Sequence, residues 1–298
     1  MNIAYLISAH TEAPQLKRLI EALHPDAHYF IHIDQKSNMD EFSPFISGDN
    51  IHFIPARIDV RWGTMLEVHY QMALLRAAVL YPIHFDRIFF LSGMDYPLWS
   101  TSQITKYLES QKGKELLQGY CMDTNLLNDQ QRELYSTERP LKQNERWGIL
   151  LRKAKHFFGI RKPLHFRVKG RRWKLYKGSA WWCVSQELAA HLLDYFDHYP
   201  AVQKYFVNSF CPAETLIQTI AFNCPQWANR CILTKGPYPG LDALTPLHFI
   251  DYNPVIKILD ESDYTRLIES GKMFCRKVVS GKSDELVALI EAHKKQNL

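Results

Sequence analysis

Tyr29-Phe30-Ile31-His32-Ile33-Asp34 reads as a short strand that runs apolar almost throughout and stops on a carboxylate. Aromatic and β-branched residues without strict polar alternation are what a strand covered on both faces looks like. Ile3 to Ser8 has the same character upstream, Arg87 to Leu91 has it downstream, and Ile51 to Ile54 is a shorter relative. Helical spacing fills the gaps. After Pro14 come Leu16, Leu19, Ile20 and Leu23, and Met65 to Leu80 repeats apolar residues at helical intervals. Strands separated by helices imply βαβ units, so the expected fold is α/β with a mostly parallel central sheet flanked by helices. Ligands of such sheets sit at the carboxyl ends of the strands. His10, Asp34 and Asp95 each fall just past a strand end, where a nucleotide would be held.

Further along, Gln103 to Gln111 reads as a helix, and residues 123 to 177 are polar and then basic, with a helix expected over Arg146 to Phe158. Ser179 to Val184 is strand-like, and Ser185 is placed to cap a helix carrying Leu188, Leu192, Leu193 and Phe196. Pro212-Ala213-Glu214 is expected to open another helix, with Leu216, Ile217 and Ile220 on its apolar face. Pro237 to Pro246 is a Pro/Gly-rich loop, and a last helix runs from Asp284 to Lys294. No repeat, low-complexity tract or linker divides the chain. A single domain over residues 1–298 is therefore expected, with a nucleotide-binding half (1–122) and an acceptor-binding, catalytic half (123–298).

With 298 residues, 46% of them hydrophobic, the chain can bury a sizeable core. Its apolar runs are too short to span a bilayer. It starts on its first strand with no basic leader, so a soluble cytoplasmic location is expected. Six scattered cysteines form no Cys-x-x-Cys and no zinc spacing, which fits reduced thiols. The net charge of +5 conceals an asymmetry: twelve Lys or Arg and no acid lie between Arg146 and Gln186, leaving 24 basic against 31 acidic residues elsewhere. Aromatic residues interleave with those charges. Such a segment suits an anionic partner, and equally suits a plain solvated helix and loop.

Sugar transfer from a nucleotide donor needs a grip on the base and ribose, positive charge for the leaving diphosphate and, with inversion, a carboxylate to deprotonate the attacking hydroxyl. No Gly-x-Gly-x-x-Gly or Walker loop occurs. No Asp-x-Asp closes a strand either. Asp95 stands between Met94 and Tyr96, and one carboxylate holds a hard cation poorly. Basic side chains are left to neutralise a diphosphate.

Six blocks, taken together, carry a resemblance. They are Tyr29 to Ser37, Val60-Arg61-Trp62-Gly63, Leu91-Ser92-Gly93-Met94-Asp95-Tyr96-Pro97, Lys177-Gly178-Ser179-Ala180-Trp181-Trp182, Ser209 to Thr215, and Lys272-Met273-Phe274-Cys275-Arg276-Lys277. In this collinear order, spanning residues 3 to 278, the chain resembles the core-2/I-branching β-1,6-N-acetylglucosaminyltransferases, a family (glycosyltransferase family 14) that also holds peptide O-xylosyltransferases. The resemblance implies a variant GT-A fold, a UDP-sugar donor, inversion, and no metal or other cofactor. By position it implies Glu214 as catalytic base and Arg276 and Lys277 at the diphosphate. His10 and Asp34 fit the base and ribose, and Asp95 the sugar-phosphate side. A second basic residue of the family matches only Lys257, the one Lys or Arg between His248 and Leu259. On the acceptor side, Gly178 and Ser179 allow a close backbone approach, and Trp181 and Trp182 offer rings for a sugar face.

The expected partners are a UDP-sugar and a glycan or glycolipid acceptor, with N-acetylglucosamine the expected sugar and xylose or another UDP-sugar the alternative. A bacterial role in surface polysaccharide synthesis fits, with residues 146–177 docking at the inner face of an anionic membrane. No nucleic acid is expected, although a protein binding nucleic acid or anionic glycans through that segment is the alternative of another class.

Overall fold

The computed structural model describes residues 1–122, 129–137, 146–235, 238–252 and 255–296. Its first half is built as the apolar runs require. Strand β1 (Ile3–Ala9) leads through helix α1 (Ala13–Glu21) to β2 (His28–Ile33) and then to β3 (Ile51–Phe53). Helix α2 (Met65–Val79) returns the chain to β4 (Arg87–Ser92), and β5 (Asp95–Pro97) and α3 (Thr101–Ser110) follow. Strands β1 to β4 are mutually parallel, with β1 central between β2 and β4. Helix α2 starts cleanly because Thr64 caps it on the Leu66 N–H, and α3 because Ser100 and Gln103 form a reciprocal capping box.

The second half continues with β6 (Gln118–Cys121), α4 (Asp129–Ser136), α5 (Arg146–Phe157) and a hairpin of β7 (His165–Val168) and β8 (Arg171–Lys174). Then come β9 (Tyr176–Lys177), β10 (Cys183–Val184), α6 (Gln186–His198), α7 (Pro200–Phe206), α8 (Leu216–Phe222), α9 (Pro225–Ala228) and β11 (Ile232–Leu233). Strand β12 (His248–Ile250), α10 (Tyr264–Glu269), β13 (Phe274–Arg276) and α11 (Asp284–Gln296) close the described chain. Strand β10 adds antiparallel to β4, giving the main sheet the order β10-β4-β1-β2-β3. A second sheet, β12-β13-β5, carries the C-terminal strand back to the end of β4, and a third orders β11-β6-β9.

Side-chain alternation splits the core into two layers. Ala4, Leu6, Phe30, Ile88 and Phe90 face α2, α6 and α8, while Tyr5, Ile7, Tyr29, Ile31, Phe89 and Leu91 face α1 and α3. Each face is covered, so each strand reads apolar continuously. No helix among the described residues is long and apolar enough to cross a membrane.

Two expected elements differ. Only Cys183 and Val184 of the run from Ser179 form a strand, because Ser179 Oγ accepts the Trp181 N–H and bends the chain before it reaches the sheet. Pro212-Ala213-Glu214 is a 3-10 turn and not the start of the α-helix: Cys211 is left-handed at φ 43°, and α8 begins after Thr215. Pro237, at the head of the expected Pro/Gly-rich loop, lies outside the described residues.

Candidate active site

The carboxyl ends of β1, β2 and β4 converge. The Asp34 N–H donates to Ala9 O at 2.9 Å and the Gly93 N–H to Ser8 O at 2.9 Å, so the three strand ends are stitched edge to edge. Asp34 is buried, takes the Lys36 N–H at 2.9 Å, and has the Lys36 ammonium at 3.2 Å. His10 sits beside this corner. Desolvation, the Lys277 ammonium and, more weakly, Arg276 and Lys36 push its imidazole below the ordinary value, with Asp34 opposing. It is therefore a neutral ring at pH 7, able to donate or accept a hydrogen bond.

Asp95 is fully buried and organises the other side of the crevice. Its carboxylate accepts the Ser92 N–H at 2.7 Å, meets His248 Nε2 at 3.1 Å and takes Arg276 Nη1 at 2.9 Å. Burial opposes that charge, but His248, Arg276 and the Ser92 N–H together hold the carboxyl below its usual range. The register of β13 against β5 places Arg276 opposite Asp95, so the pairing follows from the sheet. Arg276 also lies 4.6 Å from the Trp181 ring, whose other neighbours are Phe90 at 5.6 Å and His248 at 5.5 Å. Lys277, the next residue, makes no ion pair among the described residues, and desolvation together with Arg276 lowers its pKa against the pull of Glu12.

Glu214 lies on the turn before α8 with its side chain 30% exposed, and it pairs with the ammonium of Lys177, which is buried. Burial works against that ammonium, yet Glu214 outweighs it with help from Tyr135, and the Lys177 pKa ends well above the usual value. The Tyr135 ring lies 5.3 Å from Lys177 Nζ. A second carboxyl stands close by. Glu67, in the first turn of α2, accepts the Gly63 N–H at 2.8 Å, and burial pushes it up to about 7, with Gly63 opposing and Glu214 adding a small push. The Gly63 carbonyl in turn accepts the Cys211 N–H at 3.1 Å, tying this corner to the turn that carries Glu214.

One short segment spans both sides. Lys177 touches Glu214, the Gly178 N–H donates to Glu214 O at 2.9 Å, and Trp181 packs on Arg276. The stretch from Lys177 to Trp181 therefore holds the Glu214 carboxylate through Lys177 and the Arg276 guanidinium through Trp181. Tyr70 is buried within electrostatic reach of Glu67, Arg276 and Asp34.

The family model for the core-2/I-branching enzyme matches residues 3–238. This chain belongs to the core-2/I-branching enzyme family. Its similar proteins include xylosyltransferase 2 of Canis lupus familiaris, 22% identical over 317 residues, covering 98% of this chain and 34% of that protein. Beta-glucuronosyltransferase GlcAT14B of Arabidopsis thaliana is 24% identical over 307 residues, covering 93% of this chain and 62% of that protein. The chain thus spans about a third of the length of the xylosyltransferases it matches. A crystal structure of mouse xyloside xylosyltransferase 1 aligns with a TM-score of 0.34 at 11% identity, over 79% of this chain and 85% of that one.

Within this branching-family chain the residues singled out by sequence do not all meet. His10, Asp34, Asp95, Arg276 and Lys277 gather at the strand ends, and Glu214 lies apart from them, on the turn before α8 with Lys177. Lys257 has its ammonium held by Asp263 at 2.7 Å and Asp260 at 3.8 Å, which commits it elsewhere. Gly178 does provide a close approach, but to protein: a Cβ there would lie 2.0 Å from the Gln118 carbonyl oxygen. Ser179 is buried, bonded through Oγ to the Trp181 N–H and through its carbonyl to Gln218. Trp182 is 0% exposed in the core, which leaves no ring face for a sugar. Trp181, expected on the acceptor side, packs on Arg276, Phe90 and His248. Sequence reading missed Lys177, Glu67, Tyr135 and His248 as site residues. Lys177 alone had a signal, as the lysine heading the quoted Lys177-to-Trp182 block. No group of three or more potential metal ligands occurs among the described residues.

Proposed function

We propose that this chain transfers a sugar from a UDP-sugar to a hydroxyl of a glycan or glycolipid, with inversion and without a metal, on a variant GT-A scaffold. The observation that carries the reading is the Lys177–Trp181 segment, whose Lys177 pairs with Glu214 and whose Trp181 packs on Arg276, so that one stretch of chain supports both the proposed base and the cations at the strand ends. Glu214, held by Lys177, takes the proton of the acceptor hydroxyl while its oxygen attacks the anomeric carbon. The bond from that carbon to the β-phosphate oxygen breaks on the opposite face. Lys277 and Arg276 meet the charge that develops on UDP, and His10 and Asp34 face its nucleoside. Preorganised groups aimed at developing charge are typically worth ~3–4 kcal/mol each, and a placed general base 10²–10⁴ in rate. The donors to test are the UDP-sugars of N-acetylglucosamine, which the resemblance implies, and of xylose and glucuronic acid, for which the similar proteins are named.

The test is a screen of UDP-sugars for protection against thermal unfolding, followed by transfer assays with and without EDTA. Glu214→Gln should bind the donor as wild type does and lose transfer by at least a hundredfold. Near-normal transfer by that variant would remove Glu214 as base, and complete loss of wild-type activity in EDTA would remove the metal-free reading.

Peripheral membrane contact has support of its own. Phe157 and Phe158, at the end of α5, are 84% and 73% exposed, and Ile160 is exposed beside Arg161. Apolar rings projecting from a basic segment suit an anionic lipid surface holding a lipid-linked acceptor. Flotation with liposomes, with and without anionic lipid, tests it: equal recovery in both would count against the contact.

A further inference from the structure

Trp62 has its side chain turned out into solvent, 69% exposed, although its surroundings are well anchored. Ile58 and Val60 pack on the core, and the Val60 carbonyl takes the Lys36 ammonium. The Thr64 N–H and hydroxyl both bond the Arg61 carbonyl, at 3.3 and 2.7 Å, and Gly63 adopts φ +73°, a value at which glycine carries no steric penalty. The indole is thus presented by a tight turn rather than left on a loose one.

It also stands next to the reaction centre. The Gly63 carbonyl bonds the Cys211 N–H, three residues before Glu214. The indole meets Phe210 edge-on at 5.8 Å, Phe210 meets Tyr135 at 5.8 Å, and the Tyr135 ring lies under the Lys177 ammonium that pairs with Glu214. A pyranose has one face of C–H groups and a rim of hydroxyls. The flat indole matches that face, and the exposed Asp59–Arg61 pair on the same turn offers charged partners for the rim.

We infer that Trp62, backed by Phe210, is the platform on which a sugar ring of the acceptor stacks, turning its hydroxyl toward Glu214. The inference rests on the reading of Glu214 as base. It replaces the pair Trp181 and Trp182, of which one supports Arg276 and the other lies in the core.

Saturation-transfer NMR with methyl glycosides of galactose, N-acetylgalactosamine and glucose tests it on the whole chain, with UDP held at saturation. The wild type should bind at least one glycoside with transfer from indole protons. Trp62→Ala should weaken that binding at least tenfold with UDP affinity unchanged, and Trp62→Phe should retain most of it. Equal binding by wild type and Trp62→Ala would overturn the platform, as would a UDP-loaded wild type that binds none of the glycosides. Failure of the wild type to bind UDP would instead overturn the transferase reading itself.

Discussion

Replacing Lys177 by Met removes a buried ammonium and leaves its volume nearly unchanged. The partner, Glu214, then keeps its charge with no counter-ion. Breaking a buried ion pair from one side typically costs 3–5 kcal/mol. The Glu214 side chain is 30% exposed, so water can solvate the orphan and the low end applies, about 3 kcal/mol. For a large domain each kcal/mol shifts the midpoint by about 2 °C, so Lys177→Met should melt about 6 °C below wild type. Glu214→Gln leaves the opposite orphan, an ammonium in an almost fully buried place, and should cost at least as much. The double variant holds neither charge and should sit about 3 kcal/mol below wild type, a coupling of about 3 kcal/mol, at the upper end of what neighbouring residues show. Urea melts of the four proteins at one pH measure this directly. If Glu214 is the base as proposed, transfer should fall at least a hundredfold in both single variants, because Lys177 fixes Glu214 in its place. Single effects that add to within about 0.5 kcal/mol would refute the pairing as an energetic unit. Near-normal transfer by Lys177→Met would refute its hold on the base.

The Glu67 carboxyl gives a pH signature. Its value is about 7 against 4.5 for a solvated glutamate, so over that window the folded state binds the proton more tightly and stability falls as pH rises. The full span is about 3 kcal/mol by linkage. Glu67→Gln should therefore gain on wild type between pH 5 and pH 8 in paired urea melts, while the opposite slope from buried His32, held neutral down to about 4, cancels in the difference. A constant difference would mean that Glu67 titrates as a solvated group. Gly178→Ala must push the Gln118 carbonyl aside from 2.0 Å, and overpacking of that kind costs about 3 kcal/mol. A melt within a degree of wild type would show that the approach relaxes freely.

What was legible in the sequence was whatever depends on neighbours in the chain. Apolar runs such as Ile3–Ala9 and Arg87–Ser92 declare buried strands, and Ser185 declares a cap, because pattern and capping are local. His10, Asp34 and Asp95 followed from the rule about strand ends. Tertiary pairing was not legible. Nothing near Lys177 in sequence announces a partner 37 residues away, and His248 reaches Asp95 across 153 residues. Adjacent tryptophans look alike on paper, yet Trp182 is in the core and Trp181 on Arg276, since the bend at Ser179 decides which ring the sheet buries. Lys257 stands out in the sequence as the one Lys or Arg between His248 and Leu259, which gives no sign that Asp260 and Asp263 hold its ammonium.

The same pairings separate Arg276 from Lys277, two residues that a motif treats as one. Arg276 is spent largely on structure: its guanidinium satisfies a fully buried Asp95 and lies over Trp181. Removing it would leave a buried carboxylate with His248 and one N–H, so its loss would register in folding before it registered in binding. Lys277 carries no such obligation. Lys36, Lys177, Lys257 and Arg276 all have carboxylate partners, while Lys277 has none among the described residues and is partly desolvated beside another cation. A cation in that condition gains most from an arriving anion, because the anion relieves both the desolvation and the repulsion from Arg276. The structure thus holds one cation in reserve at the strand ends, with a second locked beside it by Asp95. Arg276 is set by the register of β13 against β5 and Lys277 follows it directly, so both are positioned before any ligand arrives, which is the preorganisation that the proposed stabilisation of a leaving diphosphate requires.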